Sequence, residues 1–121
     1  MKTPVFKGAT STQKGKVAEC AALHYLERQG LRLVERNYST RWGELDLIMW
    51  QQHTLVFIEV RQRNNPHFGG AAASVGLAKQ DRLWKTAQIY LQRYASLPAC
   101  RFDLVAINGG KVEWIRDFIS R

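Results

Sequence analysis

The chain has 121 residues and a formal net charge of +8. That length suits one domain with a core large enough to fold unaided, and no apolar run approaches the roughly 20 residues that span a bilayer. Cys20 and Cys100 stand alone, without CxxC or Cys/His spacing, so neither a zinc site nor a disulfide framework is indicated.

The first residues, MKTPVFKGATSTQKGK, contain no apolar signal segment, which points to the cytosol. The positive excess favours polyanions, nucleic acid first, because each neutralised phosphate releases condensed counterions. An anchor on an acidic membrane would need a strongly basic amphipathic helix, and none is evident, so no membrane partner is expected.

Residues 1–11 read as a mobile polar arm, and 12–121 as one domain. A helix is expected over 12–29, capped by Ser11 or Thr12 and ended by Gly30. LRLVERNY (31–38) reads as a first strand, STRWG as a turn, ELDLIMW (44–50) as a second strand and LVFIEVRQR (55–63) as a third. QQHT joins the last two as a hairpin of open loop length. Residues 64–76, rich in Asn, Gly and Ala, read as a flexible loop. A second helix should cover 77–94, and RFDLVAI (101–107) and KVEWIRDF (111–118) make two further strands around an NGG turn. The order α-β-β-β-α-β-β implies a mixed α/β sheet flanked by helices, with the fourth strand parallel to a neighbour.

Several polar residues fall where core is expected. Strict alternation puts Leu45, Leu47 and Met49 on one face of the second strand and Glu44, Asp46 and Ile48 on the other. In the third strand Glu59, Arg61 and Arg63 share a face with Leu55 and Phe57. A two-residue turn at Gln51-Gln52 would make Asp46 and Glu59 diagonal neighbours, whereas a four-residue loop shifted by one position would set them directly opposite. Either brings the two carboxylates within roughly 5–8 Å at Cβ, close enough to repel unless a cation lies between them. Glu19 falls inside the first helix's apolar stripe of Ala18, Ala22, Leu23 and Leu26, and Gln80 inside the second's, of Leu77, Leu83, Trp84, Ala87, Leu91 and Tyr94. Each has an ordinary explanation. Glu44 suits a solvated strand end, Asp46 an acceptor of turn N–H groups, Glu59 a partner of Arg61 or Arg63, Glu19 a helix end near water, and Gln80 a backbone contact. Together they place acidic groups from a helix and two strands beside a fixed cation.

The spacing of Asp46, twelve residues, then Glu59-Val60-Arg61 resembles the PD-(D/E)XK pattern of restriction-endonuclease-like nucleases. GKVAE (15–19) resembles the first-helix glutamate motif of the archaeal Holliday junction resolvases in that superfamily. Nearly end to end the chain resembles the YraN-type uncharacterised family, in GELDLI, LVFIEV, the FG of the following loop, KQ at the second helix and RFDLVAI. The resemblance implies a restriction-endonuclease-like mixed sheet flanked by helices. It implies that Asp46 and Glu59 ligate Mg²⁺ (or Mn²⁺) with the Val60 carbonyl, that Glu19 assists through water or a second metal position, that residue 61 faces the attacking water or the scissile phosphate, and that Gln80 orients the same region. A Mg-dependent endonuclease acting on DNA, branched or damaged forms included, is the expectation, as a homodimer by analogy with the resolvases.

One departure bears on turnover. The family pattern has Lys where this chain has Arg61, and an arginine does not give up its proton. The alternative is therefore a nucleic-acid-binding module with weak or no catalysis, and a remoter one is a protein adaptor whose charge is incidental. Arg36, Arg41, Arg63, Lys79, Arg82 and Lys85 form the expected phosphate-contact set, with Trp42 able to stack on an unpaired base. His24, His53 and His67 show no metal-ligand spacing, and Asp103 reads as a structural residue at a strand end.

Overall fold

The computed structural model describes residues 11–63 and 74–119, with the side chains of 11–14 and 63 left aside. The expected arm at 1–10, most of the expected loop (64–73) with His67, and the side chain of Arg63 lie outside the described residues. The elements run α1 (Ser11–Arg28), β1 (Arg32–Thr40), β2 (Gly43–Gln51), β3 (Thr54–Arg63), α2 (Leu77–Leu91), β4 (Ala99–Asn108) and β5 (Lys111–Ile115). The five strands form one sheet in chain order. β3 and β4 are parallel and the other neighbours antiparallel, so the crossover through α2 produces the mixed sheet expected.

Helix α1 ends as its sequence dictates. Gly30 adopts φ +97, its N–H donates to the Glu27 carbonyl at 3.0 Å, and the Leu31 N–H donates to the Leu26 carbonyl at 3.1 Å. This is a Schellman cap, and Leu26 and Leu31 complete it by packing in the same cluster. α1 covers one face of the sheet with Ala22, Leu23 and Leu26 against Leu47, Met49, Val56 and Ile58. α2 covers the other with Leu83, Ala87, Tyr90 and Leu91 against Leu45, Ile48, Leu55 and Phe57. Of the stripe expected on α2, Leu77 is instead 78% exposed. Tyr90, absent from that stripe, is buried edge-on to Tyr38 at 5.1 Å and to Phe57 at 6.0 Å.

Three boundaries differ from expectation for local reasons. α2 stops at Leu91, where Gln92 and Tyr94 donate to carbonyls only three residues back. β5 stops at Ile115 because Asp117 turns into the left-handed region (φ +55) and gives its N–H to Asp103 Oδ1 at 2.9 Å. The first hairpin closes on Arg41-Trp42, shorter than the STRWG turn expected, and the second, whose length was open, on Gln52-His53. Asp103 is no strand-end residue. It is fully buried in mid-β4, where it also accepts bonds from Arg101 and the Trp114 indole at 2.9 Å.

Candidate active site

The hairpin turn at Gln52-His53 fixes Gln51 opposite Thr54, the register that sets Asp46 level with Glu59. The β2–β3 pairing runs only as far as Leu47 opposite Ile58, and beyond it the strands separate. Asp46 Oδ2 enters the gap and accepts the Val60 N–H at 2.8 Å. The β1–β2 ladder breaks at the same level. Arg36 pairs with Leu47 and Tyr38 with Leu45, but the position between them, Asn37 and Asp46, is skipped.

Both strands change face there. Leu45 lies under α2 while Leu47 lies under α1, so the strict alternation expected for Leu45, Leu47 and Met49 fails at Asp46. Likewise Tyr38 packs on Tyr90 of α2, whereas Arg36 reaches Cys20 of α1. Asn37 makes the crossing possible with φ +52, a conformation asparagine tolerates better than most residues. Its Nδ2 donates to Glu19 Oε1 at 2.9 Å, the partner that a carboxylate on a packed helix face requires.

Glu19, Glu44 and Asp46 each bring one carboxylate oxygen within 4.8 Å of the others. Glu44 is exposed at the start of β2, the solvated strand end expected, takes the Ser39 hydroxyl at 3.1 Å and also belongs to this group. A cavity of about 330 Å³ opens beside them, lined by Gly15, Lys16, Glu19, Asn37 and Glu44. Burial pushes the Asp46 carboxyl up to about 8, and the Glu59 and Glu19 charges add to the shift while the Val60 N–H opposes it. Asp46 therefore joins two acidic groups, Glu19 and Glu44 on the α1 side and Glu59 on the α2 side.

Glu59 is buried and carries two cations on one oxygen. Arg61 Nε lies 3.5 Å and Lys79 Nζ 3.4 Å from its Oε2. Lys79 comes from the first turn of α2, so the second helix delivers a cation to the site where the sequence suggested an amide. Gln80 uses its Nε2 to hold the Val75 carbonyl at 2.9 Å.

Residues 18–107 match the family described as Uncharacterised protein family UPF0102. A UPF0102 protein of Janthinobacterium sp. (strain Marseille) is 47% identical over 99% of both chains. Another, of Cupriavidus metallidurans, is 50% identical over 94% of this chain and 86% of its own. The chain belongs to the UPF0102 family. The YraN-type resemblance read from its motifs is borne out at that level.

In this UPF0102 chain the remaining basic residues divide. Arg41 and Lys85 both lie over the Trp42 ring, with the Arg41 Cζ at 4.8 Å and the Lys85 Nζ at 4.4 Å from its centre. Trp42 is set in place by its own N–H, which donates to Thr40 Oγ1 at 3.1 Å, and by the Thr40 and Thr86 hydroxyls meeting at 3.2 Å. Arg82 is exposed on α2 between Lys79 and Lys85. Arg36 stands apart on the α1 side against Cys20, at 3.5 Å.

Hard carboxylate oxygens around one point, flanked by cations, can hold a divalent metal and a phosphate together. Sequence reasoning missed Asn37 in this arrangement. Its one signal was an asparagine inside a strand pattern, a residue type depleted in strands and tolerant of the left-handed region.

Proposed function

We propose that this UPF0102 protein is a Mg²⁺-dependent endonuclease of the restriction-endonuclease-like superfamily, acting on DNA phosphodiesters. The observation that carries the reading is Asp46, drawn into the gap of a splayed hairpin between Glu59 and the Glu19–Glu44 pair. The donor set fits a hard cation, since its side-chain donors are carboxylate oxygens, and burial, with the Glu59 and Glu19 charges adding to it, raises the Asp46 carboxyl. Asp46 and Glu59, with the Val60 carbonyl, would hold the ion, and Glu19 would hold its water under the control of Asn37. Bound Mg²⁺ supplies a polarised phosphate oxygen and a more acidic water.

The chain's own residues do the rest. Arg61 and Lys79 hold Glu59 in place, and positive charge beside it stabilises the charge that grows on the phosphate oxygens. The Arg41–Trp42–Lys85 group and Arg82 hold the flanking backbone. In the net reaction a water oxygen bonds to phosphorus and the bond to the leaving sugar oxygen breaks. The water gives up a proton and the leaving oxygen takes one. Branched or damaged DNA, a cytosolic setting and a homodimer belong to the same reading.

The second reading is a binding module with little turnover. It is favoured by Arg61, whose Nε lies 3.5 Å from Glu59 and whose guanidinium cannot act as a base. Cleavage of linear, single-stranded and four-way DNA in Mg²⁺ or Mn²⁺, lost in Asp46→Ala and Glu59→Ala, is the outcome expected of the enzyme. No cleavage, with salt-sensitive DNA binding retained, establishes the module instead.

A further inference from the structure

One buried carboxylate and two cations leave a positive charge over. Glu59 has a single negative charge, yet both Arg61 and Lys79 reach its Oε2. The two cations are not equivalent. Arg61 comes from β3 itself, two residues along the same face, and its Nε is buried without a hydrogen bond among the described residues. Lys79 arrives from α2, a separate element, with a side chain 37% exposed against 34% for Arg61, so what sets the two apart is the element each comes from and not its exposure. An ammonium carries three N–H donors, so one directed at Glu59 leaves two for another acceptor.

The surroundings indicate which acceptor. Lys79, Arg82 and Lys85 advance along about 9 Å of α2, from the carboxylates to the Trp42 ring that Lys85 and Arg41 each overlie. A row of cations that ends beside acidic groups suits a polyanionic backbone, because the last cation can bridge the acids and the nearest phosphate. Gln80, the next residue, is fastened to the Val75 carbonyl, and the Gln80 N–H bonds the Gly76 carbonyl at 3.0 Å. The turn that presents Lys79 is thereby held on both sides.

We propose that Lys79, not Arg61, is the catalytic cation of this site, donating to a nonbridging oxygen of the scissile phosphate, with Arg61 as a positioning clamp on Glu59. The inference rests on the nuclease reading above. As the water oxygen bonds to phosphorus and the phosphorus–oxygen bond to the leaving sugar breaks, negative charge builds on the nonbridging oxygens. Lys79 meets that charge without transferring a proton. The water's proton passes to bulk solvent and the leaving oxygen takes one from it.

Two readouts on the full chain separate this inference from the reading beneath it. In Mn²⁺, Lys79→Met is expected to lower kcat about 100-fold or more, the usual loss for one transition-state donor, with KM within about threefold. Lys79→Arg should recover part of the rate, and Arg61→Met should lose less than about tenfold. Equal losses for Lys79→Met and Arg61→Met, or wild-type speed in Lys79→Met, overturn the assignment.

The second readout is equilibrium binding in Ca²⁺ of oligonucleotides that each carry one uncharged methylphosphonate. One position should weaken wild-type binding about tenfold and leave Lys79→Met indifferent. If no position behaves so, the Lys79 contact is wrong whatever the cleavage result. If the coupling is found and the wild-type protein cleaves nothing, the phosphate contact stands and the nuclease reading fails.

Discussion

Asn37 and Asp46 stand opposite one another at a position the β1–β2 ladder skips, and each strand changes face across it. Asn37 turns toward α1 and fixes Glu19, while Asp46 turns into the gap before Val60. One irregularity thus aims two acidic groups at the same place from different elements. A regular ladder would have left Asp46 on one face of the sheet with no means of sensing Glu19 and Glu59 together. Breaks in pairing of this kind are a common way for a sheet to re-aim a side chain beside a site.

That geometry makes Asn37 testable through two substitutions. Asn37→Gly keeps the left-handed backbone but loses the 2.9 Å bond to Glu19, whereas Asn37→Ala loses the bond and strains the backbone as well. The alanine variant should be less stable than the glycine variant by about 1 kcal/mol. Urea unfolding of both would measure it. Equal stabilities would mean that the backbone at 37 relaxes freely.

Asp46 ties stability to pH. Its carboxyl is raised from 3.8 to about 8 on folding, so the folded state holds a proton that the unfolded state has released between those values. Stability contributed by the protonated group is therefore complete below about pH 4 and lost as pH rises through about 8. Asp46→Asn removes the charge and keeps an oxygen for the Val60 N–H. The variant should be more stable than wild type by about 2–4 kcal/mol at pH 8.5, with the gain vanishing near pH 3.5. A pH series of thermal melts decides it, and a gain independent of pH would refute the raised carboxyl.

The same proton should appear in metal binding. An ion bound at Asp46 displaces it, so Mg²⁺ titrations near pH 7 should release protons. Calorimetry in two buffers of different ionisation enthalpy would then give different apparent heats. Asp46→Ala should abolish binding. Comparing Glu44→Ala with Glu59→Ala shows which acidic group Asp46 joins around the ion.

Much of this architecture was legible in the residues. The Gly30 cap, the two-glycine turn before Lys111 and the parallel β3–β4 pair follow from local chemistry and chain order. The convergence of Asp46, Glu59 and Glu19 was legible too, because charges in otherwise apolar elements demand partners. The face change at Asp46 was not. Period-2 reasoning assumes an unbroken pleat, and the break depends on Asn37, which lies on the neighbouring strand and leaves no signal in β2 itself. Lys79 was legible as a phosphate-contact candidate but not as a partner of Glu59, a contact that exists only once α2 is docked against the sheet.

The basic hairpin tip offers the last prediction. Arg41 and Lys85 come from β1–β2 and from α2, and the Trp42 ring holds both within 5 Å. Cation–π contact at an exposed site contributes about 0.5–1 kcal/mol, and an anion that approached the ring would meet both charges. If that anion is a nucleic-acid backbone, Arg41→Ala and Lys85→Ala should each lower the slope of log affinity against log salt by about one. Trp42→Leu should retain the slope but weaken binding at every salt concentration, because the charges remain and only their placement is lost. Fluorescence anisotropy with a single-stranded and a duplex oligonucleotide between about 50 and 200 mM salt covers the range in which phosphate contacts are resolved. Unchanged slopes in both charge variants would remove the tip from the interface and leave Lys79 and Arg82 as the cations that meet DNA.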